Sequence, residues 1–272
     1  MALAHGVRRG YLHTSPELAM KKLLGCGYER IYALGKVWRA GEITARHNVE
    51  FTLLEWYRTG FGATELMAET EALVRAAVGE RVPDTVPREA FRRWRVADAF
   101  RECAGIDFDT LAVGDAAGFA AAARAGGVRV PDDEPWDDVF NRVHLELIEP
   151  QLSGAVFLYE YPLEQAVLAR RSLERPRYAE RFELFVDGLE LCNGFAELTD
   201  AVEQRARFAA EQEARRALGR PVYPVDEDFL TALGTMPAAA GNALGIDRLV
   251  MLALDETEID RVMAFSTSRL FE

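Results

Sequence analysis

Three segments of the sequence combine residue types that bind charged ligands, and the first runs from Arg39 to Tyr57. An arginine on the inner strand of a hairpin can hold a phosphate through two parallel hydrogen bonds, and a nearby aromatic ring can stack on a nucleobase. Alternate residues of a strand share a face, which predicts that four side chains point together: Phe51, Leu53, Glu55 and Tyr57. A carboxylate and a phenol would then lie beside an aromatic surface. The competing interpretation is an edge hairpin whose charges face solvent.

The second segment, residues 181–200, contains two acids on either side of a predicted hairpin turn at residues 187–188. Glu183 and Glu190 could meet there around a hard cation, because magnesium favours one or two carboxylates together with substrate phosphates. The sequence therefore predicts a Mg²⁺ site. Half-exposed strand acids are the competing interpretation.

Farther along the same segment, three side chains alternate along a predicted strand: Asn193, Phe195 and Glu197. Because alternate residues share a face, they would offer a ligand an amide, an apolar wall and an acid. Such a set suits a ligand that has an aliphatic stem and an ammonium group.

The third segment, residues 241–252, passes from a run of small residues into a strongly apolar helix. Gly241 and Gly245 permit the backbone to approach a ligand closely, and Arg248 in the first helical turn could face phosphate. A glycine-capped core helix is the competing interpretation here.

These segments lie on a predicted framework of strands and helices. Ser15 can cap a helix whose first turn contains Pro16. Strands are expected over residues 28–38, 49–57, 156–159 and 181–192, and helices over residues 65–78, 200–218 and 246–254. Residues 80–150 alternate helical patterns with proline and glycine breaks, which predicts a helical insertion. Strands near both ends, with helices between them, favour a single α+β domain with a largely antiparallel sheet.

The charge and the cysteine content limit the classes of partner that the protein can bind and the cellular compartment that suits it. The 272 residues carry 44 acidic and 32 basic side chains, a formal net charge of −12, which disfavours a broad nucleic-acid surface. Three separated cysteines (Cys26, Cys103 and Cys192) form no C-x-x-C pair and suit a reducing compartment. No apolar run reaches the length of a membrane span, so we expect no membrane association and a cytoplasmic location.

Taken together, the segments resemble the motifs of class II aminoacyl-tRNA synthetases. Residues 39–57 look like motif 2 of these enzymes, and residues 241–248 look like motif 3. The similarity runs from about residue 11 to the C-terminus and implies the synthetase catalytic domain, an antiparallel sheet flanked by helices. Three shorter sequences are similar to the lysyl branch: Thr14-Ser-Pro-Glu17, Leu54-Glu-Trp-Tyr57 and Asn193-Gly-Phe-Ala-Glu-Leu-Thr-Asp200.

The resemblance implies an enzyme that uses ATP and Mg²⁺ to form an aminoacyl-adenylate. Arg39 would be the catalytic residue and would stabilise the α-phosphate in the transition state. Phe51 would stack on adenine, Arg248 would bind the γ-phosphate, and two further residues would help to hold ATP: Glu42 and His47. Mg²⁺ would be held by Glu183 and Glu190. The amino acid would be held by Glu17, Glu55, Tyr57, Asn193, Phe195, Glu197 and Ala243.

Two features of the chain separate it from the tRNA enzymes. It has no room for an N-terminal anticodon-binding domain, and the segment before Thr14 is too short for motif 1, so both are expected to be absent. Ala243 stands where the tRNA enzymes typically have glycine. The resemblance is then to the shorter paralogues that attach (R)-β-lysine to a lysine side chain of translation elongation factor P. No tRNA partner is expected in that case, and a homodimer would have to form without motif 1.

Two alternatives stay open at this point. One is a lysyl-tRNA synthetase-like enzyme that forms α-lysyl-adenylate. The other is a non-catalytic paralogue that binds lysine or nucleotide. Exchange of pyrophosphate into ATP in the presence of each form of lysine distinguishes all three.

Overall fold

A seven-stranded β-sheet forms the centre of the computed structural model, which describes residues 2–5, 8–79 and 86–270. The strands are β1 (Ala2–His5), β2 (Arg8–Tyr11), β3 (Arg30–Trp38), β4 (Glu50–Thr59), β5 (Arg92–Arg95), β6 (Ala155–Pro162), β7 (Tyr178–Val186), β8 (Leu189–Ala196) and β9 (Ala239–Gly245). The helices are α1 (Glu17–Gly25), α2 (Ala63–Val78), α3 (Val96–Ala104), α4 (Ala116–Ala125), α5 (Trp136–Val143), α6 (Ala201–Ala217), α7 (Glu227–Leu233), α8 (Ile246–Leu254) and α9 (Thr267–Leu270).

The strand order of the main sheet is β3–β4–β9–β8–β7–β6–β5. Every neighbouring pair is antiparallel except β5 and β6, which run parallel. Strands β1 and β2 form a separate two-stranded ribbon. The predicted α+β class with a largely antiparallel sheet is therefore confirmed. Among the described residues, none of the helices has the length and apolarity needed to cross a bilayer.

Two details of the predicted framework differ from the structure. Pro16 takes the N-cap position of α1, and Ser15 is therefore not the cap, although its Oγ accepts a hydrogen bond from the backbone N–H of Glu17 at 2.9 Å. The segment expected to be a helical insertion contains helices α3, α4 and α5 but also strand β5, whose four residues extend the main sheet. Residues 80–85 of that segment lie outside the described part of the chain, and the single-domain assignment stays a prediction.

Helices cover one face of the sheet because that face is apolar along β4, β7, β8 and β9. Helices α2 and α8 pack there against side chains such as Trp56, Leu184 and Cys192. Helices α3 to α5 enclose a separate aromatic cluster at the other end of the sheet, formed by Phe100, Phe108, Phe119, Trp136 and Phe140. The opposite face of β4, β9, β8 and β7 carries the polar residues.

Strand register places those polar residues in two neighbouring rows across the four central strands. Residues directly opposite each other in adjacent strands share a face, and so do alternate residues within a strand. One row consists of Glu55, Ala243, Asn193 and Glu183. The next row consists of Tyr57, Gly241, Phe195 and Arg181.

A β-bulge in β8 places Glu190 and Asn193, which both belong to the predicted segment 181–200, on this same face. Leu184 pairs with Cys192 and Phe185 pairs with Glu190, so Leu191 is an extra residue between them. Both Leu191 and Cys192 are buried in the core on the helix side. In a regular strand, residues three apart such as Glu190 and Asn193 would face opposite sides, and the extra residue of the bulge brings them to the same side.

Candidate active site

The polar face of the sheet forms the floor of a cleft of about 300 Å³. Residues from the β3–β4 link, from the start of α1 and from the start of α8 form its walls. All but two of the predicted site residues line it: Glu17, Arg39, Glu42, His47, Phe51, Glu55, Tyr57, Glu190, Asn193, Phe195, Ala243 and Arg248. Glu183 and Glu197 lie beside the cleft, outside its lining.

One end of the cleft is lined by Glu17 and Glu55, with Glu197 buried beside them, and we call these three residues the acid end. The Glu55 side chain is buried, and its carboxylate accepts hydrogen bonds from Ser15 Oγ and, at 3.3 Å, from Tyr57 Oη. Burial raises the pKa of Glu55 to about 7, and the negative charge of Glu17 acts in the same direction. Burial also holds the pKa of Tyr57 well above its ordinary value, so the phenol stays neutral.

Glu197 is the most buried of these acids, with 1% of its surface exposed. Its Oε2 lies 2.6 Å from Lys21 Nζ, while its Oε1 has no hydrogen-bond partner among the described residues. Burial raises the pKa of Glu197 to about 8 despite the nearby ammonium. An unpaired buried carboxylate oxygen is costly, which points to a ligand that donates a hydrogen bond there.

Gly241 keeps open the space between Glu197 and Tyr57. A Cβ atom at this position would lie 2.2 Å from Tyr57 Cε1 and 2.8 Å from Glu197 Oε1. No side chain fits at these distances without moving a neighbour. The glycine is therefore required by the packing of this face, and its backbone conformation is ordinary for a strand.

The other end of the cleft, the arginine end, is built from loop residues and the first turn of α8. The Arg39 guanidinium lies 5.1 Å from the centroid of the Phe51 ring. Arg248 contacts His47 Nε2 at 2.6 Å and donates a hydrogen bond to the carbonyl oxygen of Glu190 at 2.7 Å. Partial burial and the charge of Arg248 lower the pKa of His47, so its ring stays neutral and can accept this hydrogen bond.

Of the predicted metal ligands, Glu190 lines the cleft 3.5 Å from Arg248, and Glu183 lies beside the cleft opposite Asn193. Partial burial and the negative charge of Glu183 raise the pKa of Glu190 to about 7, against the lowering effect of Arg248. Glu183 accepts hydrogen bonds from Tyr161 Oη at 2.7 Å and from Arg181 at 2.6 Å. Among the described residues, no group of three or more acidic, histidine or cysteine side chains is arranged so that it could hold a metal ion. Two carboxylates with excess negative charge nevertheless fit Mg²⁺, which takes its other ligands from phosphates and water.

Several residues in or beside the cleft are absent from the sequence-based prediction, among them Arg46, Ser15, Lys21 and Arg181. Ser15 was assigned to a helix cap and instead donates to Glu55. Lys21 lies one helical turn after Glu17, and this i, i+4 spacing is the signal that could have identified it. Arg181 donates hydrogen bonds to Asn193 Oδ1 at 3.0 Å and to Glu183 at 2.6 Å. It lies two residues before Glu183 in β7, so the two side chains share a face, and this spacing was a similar signal.

Comparison with known proteins assigns the chain to a family. Residues 3–269 match the family described as tRNA synthetases class II (D, K and N). The chain is 40% identical over 259 residues to the elongation factor P–(R)-β-lysine ligase of Haemophilus influenzae strain PittGG, covering 94% of this chain and 77% of that protein. The corresponding ligase of Edwardsiella ictaluri is 40% identical over 272 residues, covering 97% of this chain and 80% of that protein.

Lysine–tRNA ligases are similar to the chain at nearly the same level. The Carboxydothermus hydrogenoformans enzyme is 37% identical over 270 residues, covering 95% of this chain. The chain spans about half the length of that lysine–tRNA ligase, 55%, and a larger share of the β-lysine ligases. Because the family match covers nearly all of the sequence, the chain belongs to the class II tRNA synthetase family that comprises the aspartate, lysine and asparagine enzymes.

Proposed function

We propose that the chain is an ATP-dependent ligase that activates (R)-β-lysine as its adenylate and transfers it to a lysine side chain of elongation factor P. One observation carries this proposal: a single cleft has two acids in its lining and a third buried beside them at one end, and it has arginines, Arg39 and Arg248 among them, at the other. A diamine with a carboxylate can then lie between them, with its ammonium groups at the acids and its carboxylate towards a phosphate at the arginines. The names of the β-lysine ligases similar to the chain support the same assignment.

In the first step of the proposed reaction, a carboxylate oxygen of β-lysine attacks the α-phosphorus of ATP. A P–O bond forms, the bond between the α-phosphorus and the bridging oxygen breaks, and pyrophosphate leaves. Arg39 would stabilise the charge that develops on the α-phosphate, and Phe51 would hold the adenine ring. Arg248 would hold the γ-phosphate, with Glu42 and His47 as further ATP contacts.

In this scheme the protein acts by positioning the reacting groups and forms no covalent bond with the substrate. No side chain of the cleft needs to act as a nucleophile, so the rate depends on holding the reacting atoms in line and on neutralising phosphate charge. Glu183 and Glu190 would hold Mg²⁺, which, when bound, neutralises charge on the phosphates. Glu17, Glu55 and Glu197 would face the ammonium groups, with Tyr57 and Asn193 as neutral partners and Phe195 against the aliphatic stem.

In the second step, the uncharged ε-amine of the acceptor lysine attacks the carbonyl carbon of the adenylate. A C–N bond forms, the C–O bond to AMP breaks, and the amine nitrogen loses a proton. The product is an amide on elongation factor P, together with AMP.

Exchange of labelled pyrophosphate into ATP tests the first step, with (R)-β-lysine and α-lysine assayed in parallel. The proposal expects exchange that favours β-lysine, followed by an increase in the mass of elongation factor P by one β-lysyl group. Exchange with neither amino acid would contradict the proposal.

The second candidate function is formation of α-lysyl-adenylate, favoured by the 37% identity to a lysine–tRNA ligase. Ala243 bears on the choice, because it lies between Glu55 and Asn193 in the same row. Its methyl group narrows the floor of the cleft where a substrate amine would be placed. A preference for α-lysine in the exchange assay would select this second function.

A further inference from the structure

Lys21 is a buried ammonium group that the reaction scheme does not use. Only 2% of its surface is exposed, although it lies on α1 near the protein surface. Its Nζ contacts Glu17 Oε1 and Glu197 Oε2, each at 2.6 Å. The same atom lies 4.9 Å from the centroid of the Phe195 ring. A lysine is found in such a place only when its charge is matched by partners.

The charged groups around Lys21 come from every strand and helix that forms the acid end. Glu17 belongs to α1 itself, Glu55 and Tyr57 belong to β4, and Glu197 follows β8. Burial alone would lower the pKa of Lys21, but Glu17 and Glu197 outweigh it and raise that pKa above its ordinary value. The ammonium therefore stays charged. When Glu17, Glu55 and Glu197 are all ionised, the three carboxylates and the one ammonium leave two negative charges at this end.

We propose that Lys21 is a positioning residue that sets the charge of the acid end to match a substrate with two ammonium groups. This inference rests on the proposed function and names what selects its substrate. In the adenylate, the substrate carboxylate has become part of an anhydride, so the amino acid contributes only its two positive charges. The acid end with Lys21 balances them. Without Lys21, one carboxylate would be left without a counter-charge.

A lysine suits this position because its ammonium group is a compact positive charge that can lie between two acids. Only three of the 32 basic residues in the chain are lysines: Lys21, Lys22 and Lys36. An ammonium group is compact and has three donors that can be directed to different acceptors, whereas the guanidinium of arginine is a wide planar fork. The space between Glu17 and Glu197 suits the compact group.

Loss of the ammonium has a defined electrostatic consequence. The positive charge of Lys21 lowers the pKa of both Glu55 and Glu197, so its removal raises both values further. A carboxylate that takes up a proton near neutral pH no longer attracts a substrate ammonium. The variant should therefore bind a doubly charged amino acid only at a higher pH than the natural chain does.

The test compares Lys21→Met with Lys22→Met in pyrophosphate exchange between pH 6 and pH 9. Lys22 is the matched control, because it is the next residue of α1 and pairs with Asp226 away from the cleft. For Lys21→Met we expect KM for (R)-β-lysine to rise about tenfold at pH 7 while KM for ATP stays unchanged. The pH below which KM for (R)-β-lysine increases should move up by about one unit. An unmoved pH profile, or an equal rise of both KM values, would overturn the inference.

A charge-balanced double variant separates lost charge from lost packing. Lys21→Met combined with Glu17→Gln removes one positive and one negative charge. The double variant has the same net charge at the acid end as the natural chain, so it can be measured even if Lys21→Met alone fails to fold. The pH profile of KM should return to its natural position in the double variant, whatever the rate. A profile that stays shifted would mean that Lys21 acts only through packing.

A ligand-free measurement keeps this inference distinct from the proposed function. Carbon-13 NMR titration of labelled glutamate carboxyl groups reports their pKa values without any substrate. We expect the pKa values of Glu55 and Glu197 to rise in Lys21→Met and to stay unchanged in Lys22→Met. If they rise while the natural chain shows no exchange with either lysine, the proposed function fails and the charge assignment holds. If they do not rise, the charge assignment fails.

Discussion

The two ends of the cleft differ in how deeply their charged side chains are buried. The acid end places carboxylates on the sheet itself, where 2% of Glu55 and 1% of Glu197 are exposed and burial raises their pKa values. The arginine end carries its charges on a loop and a helix start, and Arg39 is exposed to solvent. A guanidinium stays charged in either setting, whereas a carboxylate can be neutralised by burial.

In the proposed function, selectivity for the amino acid and neutralisation of phosphate charge would therefore depend on different structural elements. Buried acids interact strongly with a substrate ammonium because little water screens them, so the acid end can discriminate between amino acids. The exposed Arg39, which lies on a loop, can follow a flexible polyphosphate chain. The pH of the solution should therefore act mainly on the acid end, because His47 is already neutral near pH 7.

The largest expected effect comes from the arginine end. Arg39→Ala should reduce the rate of pyrophosphate exchange by at least about a hundredfold, because a preorganised charge next to the reacting phosphate is lost. The thermal midpoint should stay unchanged, since Arg39 is exposed and makes no buried ion pair. Arg216→Ala on exposed α6 is the control. Exchange at the natural rate would remove Arg39 from the mechanism.

A substitution at the acid end should weaken binding of the amino acid and leave binding of ATP unchanged. Gly241→Ala would place a methyl group 2.2 Å from the Tyr57 ring. We expect a loss of about 1–3 kcal/mol in the free energy of unfolding, from overpacking, and a large rise in KM for β-lysine at constant KM for ATP. Gly35→Ala in β3 is the control, because a Cβ there meets no atom within 4 Å. Equal stability of the two variants would show that the sheet adjusts.

The buried acids should make the ligand-free protein less stable as the pH rises. A carboxyl group with a raised pKa binds its proton more tightly in the folded state, so stability falls between its unfolded pKa near 4.5 and its folded pKa, about 7 for Glu55. Glu55→Gln should therefore be more stable than the natural chain by about 1–3 kcal/mol at pH 8 and nearly equal to it at pH 5. Urea unfolding at both pH values measures this.

An exposed acid provides the comparison for that experiment. Glu213→Gln on α6 should change the unfolding free energy by the same small amount at both pH values, because 75% of the Glu213 side chain is exposed. A Glu55→Gln variant that behaves like Glu213→Gln would contradict the burial argument.

The smallest expected effect concerns the floor of the acid end. Ala243→Gly removes one methyl group between Glu55 and Asn193 and should shift the ratio of kcat/KM values towards α-lysine by about tenfold. Ala33→Gly is the matched control, because Ala33 flanks Glu55 in β3 on the other side of β4. Unchanged selectivity in Ala243→Gly would make Ala243 a packing residue only.

Local patterns in the sequence were sufficient for much of the fold. The turn at residues 187–188 and the alternation around it predicted the β7–β8 hairpin, and the run of small residues before an apolar segment predicted β9 and α8. The strand over residues 92–95 could not be predicted from its own sequence. Its four residues join the sheet because β6 offers them a parallel edge, and this edge exists only in the folded protein.

Sequence spacing also predicted which candidate residues share a face, but only within one strand. The alternation from Phe51 to Tyr57 placed an aromatic ring, a carboxylate and a phenol together, and all of them line the cleft. The position of Asn193 relative to Glu190 depended on the bulge at Leu191, which leaves no clear mark in the local pattern. At the bulge, two consecutive side chains of β8, Leu191 and Cys192, are both buried against the helix side.

The chemical types of the candidate site residues, and the family to which the chain belongs, follow from the sequence alone, because motif residues that are close in the chain keep their spacing in any fold. Tertiary structure alone decided that β9 lies between β4 and β8, which puts Ala243 between Glu55 and Asn193. It also brought Lys21 from α1 to Glu197, 176 positions away in the chain. Such pairings depend on strand order and burial, and both arise only when distant segments pack together.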